Sequence, residues 1–188
     1  MPELMVLIAS TRPGRVGLPV GEWFAEKARQ NGRFDVQVAD LAVINLPFMD
    51  EPNHPIMGQY TKPHTRAWSE KVKRADAFVF VMPEYNFSMA APLKNALDFL
   101  AREWHYKPVG FVSYGGISGG TRAVQEVKHV VTTLKMVPVA EAVNIPFVRE
   151  HFIDGRFTPA KIIEDSADAM LAELERWEMA LRPMRIPV

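Results

Sequence analysis

Short apolar runs alternate along the chain with longer stretches whose apolar positions recur every three or four residues. Residues 5–9, 36–40, 77–82, 109–113 and, less cleanly, 137–143 have the length and character of β-strands. Between them, helical spacing gathers Val20, Trp23, Phe24, Lys27 and Ala28 on one face, then Trp68, Val72 and Ala75. A third stripe comprises Leu93, Ala96, Leu97, Leu100 and Trp104, and a fourth Val124, Val127, Val131 and Leu134. The last helix is expected to open at Thr158-Pro159, a capping residue followed by the proline that suits a first turn, and to carry Ile163, Ala167, Met170, Leu174, Trp177 and Leu181 on one side. Five strands alternating with five helices predict an α/β fold, a parallel sheet with helices on both faces.

Residues 42–65 break this rhythm. Four prolines (Pro47, Pro52, Pro55 and Pro63) and no clean period make the segment a long loop, either functional, interfacial or packed by its own Met49, Ile56, Met57 and Tyr60. No linker divides the 188 residues, so one domain spanning 1–188 is expected. Met1-Pro2-Glu3 lacks the basic start of a secretory signal and no apolar run approaches the ~20 residues of a membrane helix, so a cytoplasmic protein is expected. Twenty-two basic residues balance 22 acidic ones, which argues against binding nucleic acid or an anionic membrane through bulk charge. With no cysteine, the polypeptide offers no thiolate or disulfide, and any electron chemistry must be borrowed from a cofactor. His54, His64, His105, His129 and His151 show no metal-ligand spacing, and no metal is expected.

In doubly wound sheets, ligands sit beyond the carboxyl ends of the strands, which directs attention to the loops after strands one, three and four. The first reads Ser10-Thr11-Arg12-Pro13-Gly14-Arg15-Val16-Gly17 and feeds a helix N-terminus, combining free amides, two hydroxyls and two guanidinium groups. That composition suits a terminal monophosphate better than a dinucleotide pyrophosphate, since Gly14 and Gly17 do not form the Gly-x-Gly-x-x-Gly fingerprint; a solvated basic loop is the plain alternative. The second, Pro83-Glu84-Tyr85-Asn86-Phe87-Ser88, is dense in polar and aromatic groups that suit the edge and face of a planar heterocycle, or else form an ordinary turn. Lys94 and Asp98, just beyond it, read as an i,i+4 surface pair. The third, Ser113-Tyr114-Gly115-Gly116-Ile117-Ser118-Gly119-Gly120, is half glycine and lets backbone amides approach a ligand closely.

These three motifs, with Leu93-Lys94-Asn95-Ala96-Leu97-Asp98 after the second, together resemble the NADPH-dependent FMN reductase family. The resemblance implies a three-layer flavodoxin-like fold with a five-stranded parallel sheet in the order 2-1-3-4-5 and FMN as cofactor. It places the phosphate on Ser10, Thr11, Arg12, Arg15, Val16 and Gly17, and the isoalloxazine against Pro83, Glu84, Tyr85 and Asn86, with further contacts from Ser113, Tyr114, Gly115 and Gly116. It also implies a homodimer or homotetramer. Two departures stand out: Ala9 replaces the glycine that many relatives carry before the serine, and Met89-Ala90-Ala91 replaces a more proline-rich stretch near the expected substrate face.

The activity so implied is transfer of hydride from NAD(P)H to FMN N5 and onward to a quinone, azo or flavin acceptor by a ping-pong mechanism, with no catalytic side chain required. Two alternatives remain at this level. A flavodoxin-type electron carrier docking on protein partners is disfavoured by the neutral charge. A flavin-free NAD-binding protein would use Asp40, at the end of strand two, for a ribose. Trp104-His105-Tyr106 reads as core, as a cover for the flavin or as a subunit contact.

Overall fold

The computed structural model describes residues 1–185. Its five parallel strands, β1 (Glu3–Ile8), β2 (Asp35–Asp40), β3 (Ala77–Pro83), β4 (Pro108–Tyr114) and β5 (Val137–Ile145), lie in the order 2-1-3-4-5. Connecting them are α1 (Gly17–Asn31), the single turn α2 (Leu41–Ile44), α3 (Pro63–Arg74), α4 (Ala91–Asp98) and α5 (Thr121–Thr133); α6 (Lys161–Leu181) follows β5. The last three positions of the expected 1–188 unit lie outside the described residues.

Because side chains alternate across a strand, the three central strands feed two different cores. On one face Phe78, Phe80, Met82, Val109 and Phe111 meet Trp68 of α3, Leu93 and Leu97 of α4 and Val127 of α5. On the other Val79, Val81, Val112 and Tyr114 meet Val20 and Phe24 of α1 and Met170 and Leu174 of α6. Each large apolar side chain buried in this way contributes about 1.5–3 kcal/mol, so the central strands anchor everything attached to them. Trp104 belongs to the aromatic core: it is fully buried, 5.1 Å from the Phe78 ring, and its indole N–H donates to Leu97 O at 3.2 Å. It therefore covers no ligand. Close approach of α6 to β4 requires Gly110, where a Cβ would stand 2.6 Å from Met170 Sδ.

Several expectations need correction. The third apolar stripe is not one helix: α4 stops at Asp98, and Arg102–Trp104 forms a separate 3-10 turn. The last helix starts at Lys161 after Ala160, because Thr158 turns its hydroxyl back to Arg156 O and offers no cap. A two-residue hairpin, β6 (Phe152–Ile153) and β7 (Arg156–Phe157), precedes it, turning at Asp154-Gly155 with φ of 48° and 77°. Such a turn needs left-handed backbone, which the Asp-Gly pair supplies.

The 42–65 segment is likewise more ordered than a plain loop. Asp40 caps α2 through Ala42 N–H at 3.0 Å, Pro55–Met57 forms a 3-10 turn, and Asn95 of α4 donates to Pro47 O at 2.7 Å and accepts from Met49 N–H at 3.1 Å. Glu51 closes the segment by accepting from Thr61 N–H (2.8 Å), the Thr61 hydroxyl (2.9 Å) and Lys62 N–H (2.9 Å), which tethers the entry to α3. Burial pushes the Glu51 pKa up, but these donors outweigh it and hold the carboxyl at about 2. Its folded value lies below its ordinary 4.5, so its contribution is complete above that value and lost as pH falls towards 2. Glu51→Gln is expected to lower stability at neutral pH by about 1 kcal/mol. Urea midpoints of the two proteins should converge below the ordinary carboxylate pKa; a gap independent of pH would remove the carboxylate from this role.

Candidate functional site

At the carboxyl end of β1 the chain reaches Ser10, whose hydroxyl is buried, and then turns into α1. Tyr114, last residue of β4, brings its hydroxyl to the same place. A Cβ on Gly17 would lie 2.2 Å from Ser10 Oγ and 2.3 Å from Tyr114 Oη, so the first turn of α1 is seated directly on both hydroxyls. Neither has a partner meeting hydrogen-bond geometry. Burial pushes the Tyr114 pKa up to about 12 against the opposing effect of the adjacent Ser10 hydroxyl, which keeps its proton in place as a donor. The N-cap, Val16, supplies no side-chain acceptor, so the first amides of α1 add their own partial positive charge. Buried hydroxyls without partners are costly, and this arrangement of donors around a helix N-terminus suits an anion.

The two arginines of this loop have different tasks. Arg15 grips Asp40 with two bonds (2.6 and 2.5 Å) and donates to Ser10 O at 2.6 Å. The bond to Asp40 raises the Arg15 pKa; at Asp40, burial would raise the carboxyl, but the Arg15 bond and charge together with the Ala42 N–H outweigh it and the carboxyl lies below its ordinary value. Arg15 thus ties the loop to the end of β2, and Asp40 is engaged by Arg15 and Ala42 rather than presented to a ribose. Arg12 is exposed, with a 3.4 Å contact to the neighbouring Pro13 O as its side-chain hydrogen bond.

The loop after β3 is a tight turn. Tyr85 and Ser88 exchange backbone bonds of 3.0 and 2.9 Å across Asn86 and Phe87, which have φ of 51° and 71°. Two successive left-handed residues make a hairpin-type turn that favours Asn-Gly; a phenylalanine in the second place costs about 1–2 kcal/mol. Glu84 N–H donates to Tyr114 O at 3.2 Å, and its nearly buried carboxylate pairs with Arg122 of α5 at 2.5 Å. Burial would raise the Glu84 pKa, but the Arg122 and Ser118 contacts together outweigh it and the carboxyl lies below its ordinary value. Lys94 and Asp98 form the expected exposed pair at 2.6 Å.

The glycines after β4 divide into two kinds. Gly119 and Gly120 have φ of 58° and 85°, and a Cβ on Gly120 would stand 2.8 Å from Ser113 Cβ. They fold the loop back on its strand, where the Ser113 hydroxyl donates to Gly119 O at 2.8 Å. Gly116 has nothing within 4 Å of a would-be Cβ and faces open space.

A cleft of about 400 Å³ results. Arg12, Arg15 and Val16 line one end, with Pro83, Glu84 and Tyr85 from the second loop and Tyr114, Gly115 and Gly116 from the third. Ser10 and Gly17 lie behind the wall of this cleft, Asn86 at the tip of its turn and Ser113 inside the sheet; Thr11 lines a neighbouring cleft of about 490 Å³ with Leu41, Phe48, Pro92 and Asn95. The fourth wall, Phe147, Val148, Arg149 and Glu150, was not anticipated. Pro146 immediately after the fifth strand was its signal: the rule that sends ligands to strand ends applies to β5 as well. His105 precedes β4 and so sits at the other end of that strand, about 20 Å from the cleft. Among the described residues, no three His, Asp or Glu side chains gather as metal ligands, and no helix is long and apolar enough to cross a membrane.

Comparison with known proteins gives a consistent result. The family model described as NADPH-dependent FMN reductase matches residues 2–150. An NAD(P)H-dependent FMN reductase of Schizosaccharomyces pombe is 42% identical over 163 residues, covering 85% of this chain and 80% of that protein. A probable NADPH:quinone oxidoreductase of Oryza sativa subsp. japonica is 30% identical over 158 residues, 78% of this chain and 72% of its own. Among solved structures, the flavoenzyme NAD(P)H:(acceptor) oxidoreductase FerB of Paracoccus denitrificans superposes with a TM-score of 0.75 at 20% identity, covering 96% of this chain and 99% of its own.

Proposed function

The chain belongs to the NADPH-dependent FMN reductase family, oxidoreductases that use FMN and NAD(P)H, and on that footing we propose that it reduces a small quinone, azo or flavin acceptor by a ping-pong mechanism. The observation that carries the reading is the buried pair of unpartnered hydroxyls, Ser10 Oγ and Tyr114 Oη, against the N-terminal turn of α1. A monophosphate fits these donors, and the bare backbone of Gly115 and Gly116 fits the edge of a planar ring.

When bound, FMN supplies the hydride acceptor at N5 and the means of passing electrons onward. Ser10, Tyr114 and the Thr11, Val16 and Gly17 segment hold its phosphate, Arg12 neutralises the outer charge, and Arg15 fixes the loop through Asp40. Pro83, Glu84, Tyr85 and Asn86 orient the ring from one side; Gly115 and Gly116 approach it from the other, with Ser113 bracing their loop from within the sheet. No side chain is assigned a proton transfer, because hydride transfer demands none. Family membership sets aside the electron-carrier alternative, and the engagement of Asp40 by Arg15 weighs against a flavin-free NAD site.

The acceptor is a small molecule, and the cytoplasm, where reduced nicotinamides are available, is the proposed place of work. A homodimer or homotetramer is the proposed assembly, supported by exposed Val43, Phe48, Ile56 and Met57 along the proline-rich segment. Sedimentation as a monomer at micromolar concentration would exclude it.

Arg12→Ala should weaken FMN by about 1.5–3 kcal/mol while leaving riboflavin, which lacks the phosphate, close to its wild-type affinity. Equal losses for both would move Arg12 away from the phosphate. Steady-state rates at varied NAD(P)H and quinone should give parallel double-reciprocal lines, since reductant and acceptor visit one open face in turn. Intersecting lines would require both to be bound together.

A further inference from the structure

Arg122 stands outside the residues lining the cleft, yet it holds two of the cleft's walls together. Its Nε donates to Glu84 Oε1 at 2.6 Å, and its backbone N–H, in the first turn of α5, donates to Glu84 Oε2 at 3.1 Å. The carboxylate therefore caps α5 and grips the guanidinium at once. The Cζ of the same guanidinium lies over the Phe87 ring, 3.9 Å from its centroid. Phe87 is the residue with φ of 71°, and its ring is otherwise two-thirds exposed. An aromatic residue in left-handed backbone needs an outside contact to remain there, and the packed guanidinium is that contact.

We propose that Arg122 is a positioning residue for the flavin ring: by packing on Phe87 and bridging Glu84, it locks the strained turn at 85–88 in the one form that presents Tyr85 to the cleft. The proposal rests on the FMN reading given above. Without Arg122, the turn spends part of its time in conformations that free Phe87 from positive φ. Ligand affinity then falls in proportion to the competent fraction that remains. The loss concerns the ring end of the site, so it applies equally to a flavin with a phosphate and one without.

The test measures dissociation constants of FMN and riboflavin for flavin-stripped wild type, Arg122→Ala, Phe87→Gly and the double variant. Arg122→Ala should weaken both ligands by about tenfold with their ratio unchanged. Adding Phe87→Gly should restore most of that loss, because glycine adopts positive φ without steric cost. Phe87→Gly alone should bind nearly as wild type. Arg122→Gln serves the same comparison should the alanine variant fail to fold. The inference is overturned if Arg122→Ala or Arg122→Gln binds both flavins as wild type, if the loss is confined to FMN, or if glycine at 87 restores nothing. Wild-type protein that binds no FMN would instead defeat the functional reading on which the inference rests.

Discussion

The approach of α1 to the ends of β1 and β4 sets the geometry of everything at the cleft. Gly17 leaves no room for a methyl group beside Ser10 Oγ and Tyr114 Oη, so the first turn of the helix packs directly on the two hydroxyls. Neither hydroxyl meets hydrogen-bond geometry with a partner, and the first amides of the helix lie beside them. Burying them is unfavourable in the free protein, and the proposed phosphate would offset that cost by accepting from them. Ser10 follows β1 and Tyr114 ends β4, central strands whose side chains are almost wholly buried.

Around that centre, charged side chains mostly brace other parts of the protein. Arg15 is tied to Asp40, Arg122 to Glu84, and Glu51 to the amides ahead of α3. Each joins a loop at the carboxyl edge, or beside it, to a neighbouring element. The hydride chemistry of a flavin asks the protein for orientation and exclusion of water rather than for an acid or base. The structure answers with partly buried ion pairs that hold loops, and with cleft walls that combine glycine backbone, aromatic surface and charged side chains.

The sheet was legible in the sequence because its strands are short, apolar and separated by helical periods, and the three central ones were located to within two residues. What escaped was decided by contacts far apart in the chain. Thr158 does not cap a helix because its hydroxyl turns back to Arg156, and the break after Asp98 follows from packing Trp104 into the aromatic core. The order within 42–65 depends on Asn95 and on Glu51 reaching across ten residues, neither of which leaves a periodic trace. At the site, the loops could be named from composition, but the division of labour between Arg12 and Arg15 could not, since only the fold brings Asp40 beside one of them.

A crystal structure of the FMN complex tests the central claim most directly. It should show phosphate oxygens accepting from Ser10 Oγ, Tyr114 Oη and the first amides of α1 at about 2.7–3.0 Å, with Arg15 still bound to Asp40. A phosphate lying instead against Arg149, with the two buried hydroxyls left unpaired, would contradict the account.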